Sequence, residues 1–266
     1  MNAVAHLLAD TAVIAKRNAI KIIRVPEVMV FVLISPIMFV LMFAYVFGGS
    51  IAVAGSSYRE FLVPGIFTQT VVFGSTFTGV GIAEDMQKGI INRFRSLPMS
   101  PGALLAGRTL SDGIYNVLTL VIMALTGLAV GWRIRGSALD ALWGFVLLLL
   151  FGYGISWVMA LVGLVVPSVE VVNNASFIVI FPATFVANTF VESGNLPSVL
   201  QTVAEWNPVS TATHAARLAF GNTDGTDPGA AWPLQHPTVY TLICAAVLVA
   251  VFAPLATARY RRSVKK

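Results

Sequence analysis

Six apolar runs, each close to the thickness of a bilayer, decide what this chain can become. They fall at Val28–Phe47, Leu62–Ala83, Thr109–Gly131, Ala141–Val166, Asn174–Val191 and Thr238–Thr257. A helix needs about 20 predominantly apolar residues to cross the hydrocarbon core. Lipid offers the backbone N–H and C=O groups no partner, so each run must bond to itself as a helix. A soluble domain carries roughly a quarter charged residues, whereas these 266 residues are 57% hydrophobic and 11% charged, with mean hydropathy +0.82. The expected fold class is an all-α polytopic membrane protein with six transmembrane helices. The first run exceeds the roughly 7–15 residues of a signal peptide's apolar region. It is therefore expected to remain a span, although Ala52-Val53-Ala54 has the form of a cleavage site. The lone Cys244 lies in the sixth run, leaving no internal disulfide and no thiolate metal cluster.

Lys and Arg fix the orientation. With the N-terminus in the cytoplasm, the inner segments hold Lys16, Arg17, Lys21, Arg24, Lys88, Arg93, Arg95, Arg108, Arg259, Arg261, Arg262, Lys265 and Lys266. The outer segments hold only Arg59, Arg133, Arg135 and Arg217. The positive-inside rule then places both termini in the cytoplasm. The net charge of +5 reads as this orientation signal and not as nucleic-acid binding. Arg133 and Arg135, flanking Ile134 just outside the third run, fit it least well.

The segments between spans carry the rest of the pattern. Residues 1–25 read as an interfacial helix on the cytoplasmic leaflet. Leu8, Ala12, Ala15, Ala19 and Ile22 form one stripe, Asp10, Arg17, Lys21 and Arg24 lie elsewhere, and Pro26 ends it. The charged segment 84–98 has Met86, Ile90, Phe94 and Leu97 at helical spacing on one side and Glu84, Lys88 and Arg95 on the other. Such a helix can lie at the membrane surface and offer polar groups to a soluble partner, but the pattern suits a solvated, topology-fixing loop equally well. Residues 192–237 form the longest outer stretch: mildly apolar Leu196–Trp206, a break at Asn207-Pro208, a helix-like Val209–Phe220, then a turn-rich run to Gly229. A short re-entrant helix in the outer leaflet and a surface loop both fit.

The absences narrow the function. No acidic or basic residue is expected in the middle of a span, which disfavours a proton-coupled transporter. No Lys is followed by Ser or Thr as a phosphate-binding P-loop requires. His6, His214 and His236 have no metal-ligand spacing, and no nucleophilic serine motif stands out. Uphill transport by this chain would need an energy-supplying partner, and segment 84–98 is the evident place for it to act.

Several blocks carry a resemblance: Phe61-Leu62-Val63-Pro64-Gly65-Ile66, Ala83-Glu84-Asp85, Gly89-Ile90-Ile91-Asn92-Arg93-Phe94-Arg95-Ser96-Leu97-Pro98, Gly107-Arg108, Trp206-Asn207-Pro208-Val209-Ser210 and Arg217-Leu218-Ala219-Phe220-Gly221. Over nearly its whole length the chain resembles the permease subunit of bacterial ABC-2 exporters of the daunorubicin-resistance type. The resemblance implies a cytoplasmic elbow helix at 1–25, a coupling helix at 84–98 and a re-entrant element within 192–237. It implies a multi-pass plasma-membrane protein, working as a homodimer or heterodimer of permeases with two ATP-binding subunits. ATP and Mg would be bound by those subunits and no cofactor by this chain. It also implies ATPase contacts at Glu84, Asp85, Lys88, Gly89, Arg93, Phe94, Arg95 and Pro98, and an amphipathic drug, antibiotic or lipid as cargo. Pro101 stands where many members carry a basic residue. An ABC importer permease and a non-transporting assembly protein are the alternatives. The Gly89–Pro98 block and the long outer segment argue against the importer.

A pathway for such cargo needs aromatic faces and a few hydrogen-bonding groups. Gln69, Thr70, Phe73 and Phe77 in the second run and Asn174, Phe177 and Phe181 in the fifth supply them, although Gln69 and Asn174 could instead bond neighbouring helices. Gly74, Ser75, Thr78 and Gly79 are small enough for a close dimer contact or for close packing inside one subunit.

Overall fold

A computed structural model describes residues 3–24, 34–35, 37–47, 57–90, 102–166, 168–191, 193–223 and 231–263. Among these every regular element is helical. The helices are α1 (Ala3–Arg24), α2 (Ile37–Val46, passing into a π-helical turn at Phe43–Phe47), α3 (Tyr58–Gly74), α4 (Thr76–Gln87) and α5 (Ala103–Ala129). They continue as α6 (Ala138–Val165), α7 (Val169–Phe185), α8 (Ser198–Trp206), α9 (Pro208–Phe220), α10 (Trp232–Gln235) and α11 (Pro237–Ser263).

The starts and stops are set by side chains the backbone needs. Ser57, Ser137 and Ser168 each accept a hydrogen bond from the first turn of α3, α6 and α7. Asn207 accepts from Val209 N at 2.9 Å, and Pro208, with no N–H to satisfy, opens α9. Gly221 closes α9 in the left-handed region at φ 70°, where a Cβ would be strained.

Among the described residues four apolar helices are long enough to cross a bilayer: Tyr58–Gln87, Ala103–Ala129, Ala138–Val165 and Pro237–Arg262. They correspond to the second, third, fourth and sixth runs. Of the first run, α2 covers ten residues, Ile37–Val46, and the part before Ile34 lies outside the described residues. The fifth differs from expectation: α7 starts at Val169 and stops at Phe185, leaving Val186–Val191 as turns. Arg217 holds the segment beyond the stop through carbonyls that would also lack an internal partner in a helix ending at Val191. Its Nη2 donates to the Asn188 and Thr189 carbonyls at 2.8 and 3.1 Å.

Helix α6 is the hub, packed against α3, α4, α5, α7, α9 and α11. Its glycines permit close approach. A Cβ at Gly163 would strike the Gly79 carbonyl on α4, one at Gly152 would strike Val71 on α3, and Gly154 faces Ala245 and Leu248 on α11. The second run's small residues are engaged in the same way. Ser75 Oγ sits 2.9 Å from both the Val71 and Gly152 carbonyls, Gly74 lies against Asn116, and Thr78 donates to Asp112. All four are buried within one subunit, the second of the two roles their size allowed.

Helix α1 lies along α5, but its contact face is not the expected stripe. Ile14, Ala15 and Asn18 are buried and Ala12 is exposed. Gly107 on α5 makes room for Ile14, and Asn18 donates to Ser111 at 3.4 Å, which selects this register. The side chains of Leu8, Ala19 and Ile22 lie outside the described residues.

Candidate transport cavity and coupling region

Five helices enclose a cavity of about 380 Å³, within the usual range for small-molecule sites. Helix α3 contributes Ile66, Gln69, Thr70, Phe73 and Gly74, and α4 adds Thr76 and Phe77 beyond the break at Ser75. Helix α7 contributes Phe177, Phe181 and Phe185, whose i, i+4 spacing stacks them along one face. Their rings lie 4.8 and 4.0 Å apart at interplanar angles of 27° and 23°. Phe73 approaches Phe177 at 6.5 Å, joining the α3 wall to this ladder. Six expected pathway residues thus share one cavity: Gln69, Thr70, Phe73, Phe77, Phe177 and Phe181.

Asn174 does not. It is exposed near the start of α7, off the cavity wall. The wall also includes residues that sequence reasoning missed: Ser35, Phe39 on α2, and Tyr115 and Thr119 on α5. Tyr115 meets Phe77 edge-on at 5.7 Å. Only the three-dimensional meeting of α5 with α4 reveals it. Thr76 and Thr119 donate to the Phe73 and Tyr115 carbonyls of the helix backbone. Gln69, Thr70 and Tyr115 are therefore the main polar groups offered to an occupant. Among the described residues no carboxylate, ammonium or guanidinium lines it.

At the α4 end of the bundle the expected helix 84–98 does not start where the sequence pattern suggests. Glu84–Gln87 are the last turn of α4, and Lys88 and Gly89 form a turn with Gly89 at φ 64°. Gly89 ends one helix before it can start another; only glycine takes that conformation readily. Glu84 pairs with Lys88 at 3.3 Å, and Asp85 is buried with Arg17 of α1 3.9 Å away. Arg93, Phe94, Arg95 and Pro98 lie outside the described residues. Helix α5 begins six residues before the expected Thr109, so Asp112 stands well inside it, 3% exposed.

The opposite end is closed by α9, buried along most of its length between α3, α6 and α11. Arg217, 1% exposed, lies 3.6 Å over the Phe61 ring and donates to three backbone carbonyls. The other outer arginines are structural too. Arg59 donates to Val130 O, Arg133 to Leu128 O and Trp132 O, and Arg135 pairs with Glu60 at 2.8 Å. Trp132 donates to Asn222 at 2.8 Å, and Asn222 donates back to Arg133 O, which fixes this loop. The two arginines that fitted the charge rule least well are thus held by the outer cap. Burial, and the Arg217 guanidinium nearby, push the His214 imidazole down to about 4. Among the described residues no group of His, Cys, Asp and Glu could hold a metal ion.

The sequence pattern of the ABC-2 type transporter family matches residues 10–220, from α1 to the end of α9. The chain is similar to the daunorubicin resistance ABC transporter permease protein DrrB1 of Streptomyces coeruleorubidus, 35% identical over 89% of this chain and 80% of that protein. It is also similar to the probable doxorubicin resistance ABC transporter permease protein DrrC of Mycobacterium tuberculosis, 25% identical over 87% of this chain and 80% of the relative. A more distant relative is the putative transport permease ycf38 of Porphyra purpurea, 20% identical over 82% and 76% of the two chains. A family pattern that spans most of this helical membrane chain, together with these relatives, means that the protein belongs to the ABC-2 type transporter family.

Proposed function

We propose that this chain is the membrane permease of an ATP-driven exporter that moves an amphipathic drug, antibiotic or lipid out of the cytoplasm or inner leaflet. The observation that carries the reading is the aromatic cavity. Its stacked phenylalanines offer flat apolar faces, while Gln69, Thr70 and Tyr115 supply a few hydrogen-bonding groups. A wall without fixed charge suits compounds that partition into membranes. The relatives' printed names, which are resistance permeases for daunorubicin and doxorubicin, support the same cargo class.

Energy enters through a separate ATP-binding subunit that holds ATP and Mg, two copies serving a dimer of permeases. Six spans, with both termini cytoplasmic, complete the topology. The segment from Glu84 to Pro98 is the docking element, and α8 and α9 form a re-entrant cap in the outer leaflet. The excess of Lys and Arg on the inner segments and the burial of α9 support this arrangement.

The test is reconstitution of the chain with its ATP-binding subunit in lipid vesicles. The native pair should show nucleotide-dependent uptake of a planar amphipathic dye into inverted vesicles. Arg93→Glu with Arg95→Glu should release the ATPase and abolish uptake while membrane abundance holds. Continued co-purification and transport by the doubly reversed protein would defeat the docking assignment. Absence of nucleotide-dependent transport of any amphipathic probe by the native pair would defeat the exporter reading.

A further inference from the structure

A buried ion pair stands between the cavity and the cytoplasmic segment that follows α4. Asp112 on α5 is 3% exposed. Thr78 on α4 donates its hydroxyl to Asp112 Oδ2 at 2.7 Å. Arg108, one turn earlier on α5, places Nε 3.3 Å from that same oxygen. Its Nη2 crosses to α4 and donates to the Phe77 carbonyl at 3.0 Å. The guanidinium occupies the space that a side chain at Gly81 would fill, so α4 carries a recess that receives it. A buried ion pair adds little stability over well-packed apolar residues of the same volume. What it adds is direction, because the pair, held together along α5, bonds across to α4 at both Thr78 and Phe77.

The position of these groups gives that direction a use. Phe77 and Thr78 are neighbours, and Phe77 lines the cavity. Tyr115, its edge-on partner across the cavity, follows Asp112 by three residues on the same face of α5. Toward the cytoplasm, Gly81 precedes the end of α4 at Gln87, and Arg108 follows the start of α5 at Ala103. At 1.5 Å per residue the contacts lie only about 9 and 8 Å from those helix ends. The segment between α4 and α5 therefore hangs from two helices bolted together just above it. Helix α1 grips the same pair from outside, through Asn18 to Ser111 at 3.4 Å and Arg17 beside Asp85 at 3.9 Å. On the far side of Phe77, Ser75 joins α3 to α4 in a helical backbone conformation, so the two run on as one long helix.

We infer that Arg108, Asp112 and Thr78 form a clamp that makes α4 and α5 move as one body, so that displacement of the segment between them reaches the cavity wall at Phe77 and Tyr115. They are positioning residues, and the inference rests on the exporter reading. Without the clamp, a push on the segment spreads α4 from α5 instead of moving both together. ATP hydrolysis would then continue without moving the cavity.

The test uses the full chain reconstituted with its ATP-binding subunit. Asp112→Asn alone leaves Arg108 buried beside a neutral group and can fail to fold. The decisive variant is therefore Arg108→Met with Asp112→Leu, which replaces the pair by apolar packing of similar volume, commonly without loss of stability. Expected are unchanged membrane abundance, co-purification with the ATPase and basal hydrolysis. Cargo-stimulated hydrolysis and transport should fall about tenfold, within the usual range of coupling between sites. Thr78→Val, which removes one bond, should fall between. A double variant that keeps stimulation and transport overturns the clamp. So does one whose transport falls only in step with abundance or co-purification, the pattern of a merely structural pair. A native pair that binds no ATPase and transports nothing overturns the exporter reading itself, and the clamp's role with it.

Discussion

Replacing Arg217 by Met keeps an unbranched stem but removes the guanidinium from a site only 1% exposed. The native group donates to Phe61 O at 2.8 Å, Asn188 O at 2.8 Å and Thr189 O at 3.1 Å, and it lies 3.6 Å over the Phe61 ring. Hydrogen bonds from a charged donor contribute about 1.5–3 kcal/mol each, and a desolvated cation–π contact about 2 kcal/mol. Against these, the variant no longer buries a charge, which relieves several kcal/mol. The net loss expected is about 3–5 kcal/mol, the range seen when one side of a buried ionic interaction is removed. At about 2–4 °C per kcal/mol for a chain approaching this length, the unfolding midpoint should fall by about 10 °C. Thermal unfolding in detergent, followed by tryptophan fluorescence, measures it, with Trp132 buried in the adjoining aromatic cluster as reporter. Arg217→Lys keeps the charge, but its compact ammonium cannot reach carbonyls on both α3 and the turn after α7. Its midpoint should lie roughly halfway. A midpoint for Arg217→Met within about 2 °C of the native value would refute the reasoning, since the freed carbonyls would then need other donors.

Phe181→Ala should weaken apparent affinity by about 2–10-fold, the equivalent of one lost ring contact of about 0.5–1.5 kcal/mol, and by different factors for different compounds; the concentration dependence of cargo-stimulated hydrolysis reads this, and one common factor with lower abundance would mark a scaffold residue. Gly163→Leu forces α6 away from the Gly79 carbonyl on α4 and should cut membrane abundance, whereas Gly113→Ala, on open space, should leave it equal or raise stability by up to about 1 kcal/mol. His214 is held neutral down to about pH 4, while in the unfolded chain it protonates near about 6.5. Stability is therefore full above the unfolded value and is lost as pH falls toward the folded one, at most about 3 kcal/mol; unfolding midpoints measured from pH 7 to pH 4 should show this slope, and His214→Gln should flatten it.

Local signals survived into the structure where one helix settles the matter. Asn207-Pro208 and Gly221 bound α9 as their capping chemistry dictates. Phe177 and Phe181 share a face because the helical period requires it, and the cavity takes up that face. Features that depend on which helices meet were not legible. Small residues at 74–79 announce a close approach but not its partner, which proved to be α5 and α6 of the same chain. Tyr115 and Thr119 carry no signal until α5 is laid against α4. Asn174 looked like a cavity residue because a polar group in lipid is costly, yet it sits one turn before the ladder, near the exposed end of α7. Arg217 had a usable signal, a lone cation in a stretch of Ala, Leu and Phe, which the charge-count argument absorbed as an outer charge.

The helix pair Tyr58–Gln87 is 30 residues long, or up to about 45 Å, against a hydrocarbon core of about 30 Å. Tilt alone would have to reach about 48°, beyond the roughly 0–40° that membrane helices adopt. At an average tilt of about 20°, roughly 12 Å of the rod, or about eight residues, must stand clear of the acyl chains. Arg59, Glu60 and Arg135 anchor the Tyr58 end among polar groups, so the surplus falls on the Gln87 end, around Gly81 and Asp85. Hydrophobic mismatch thereby acts on the stretch that carries the α4–α5 contacts. Longer acyl chains draw it inward and dehydrate the Arg17–Asp85 pair, and shorter ones leave it in water. The bilayer's own thickness becomes a setting for how firmly the α4–α5 end of this protein is held.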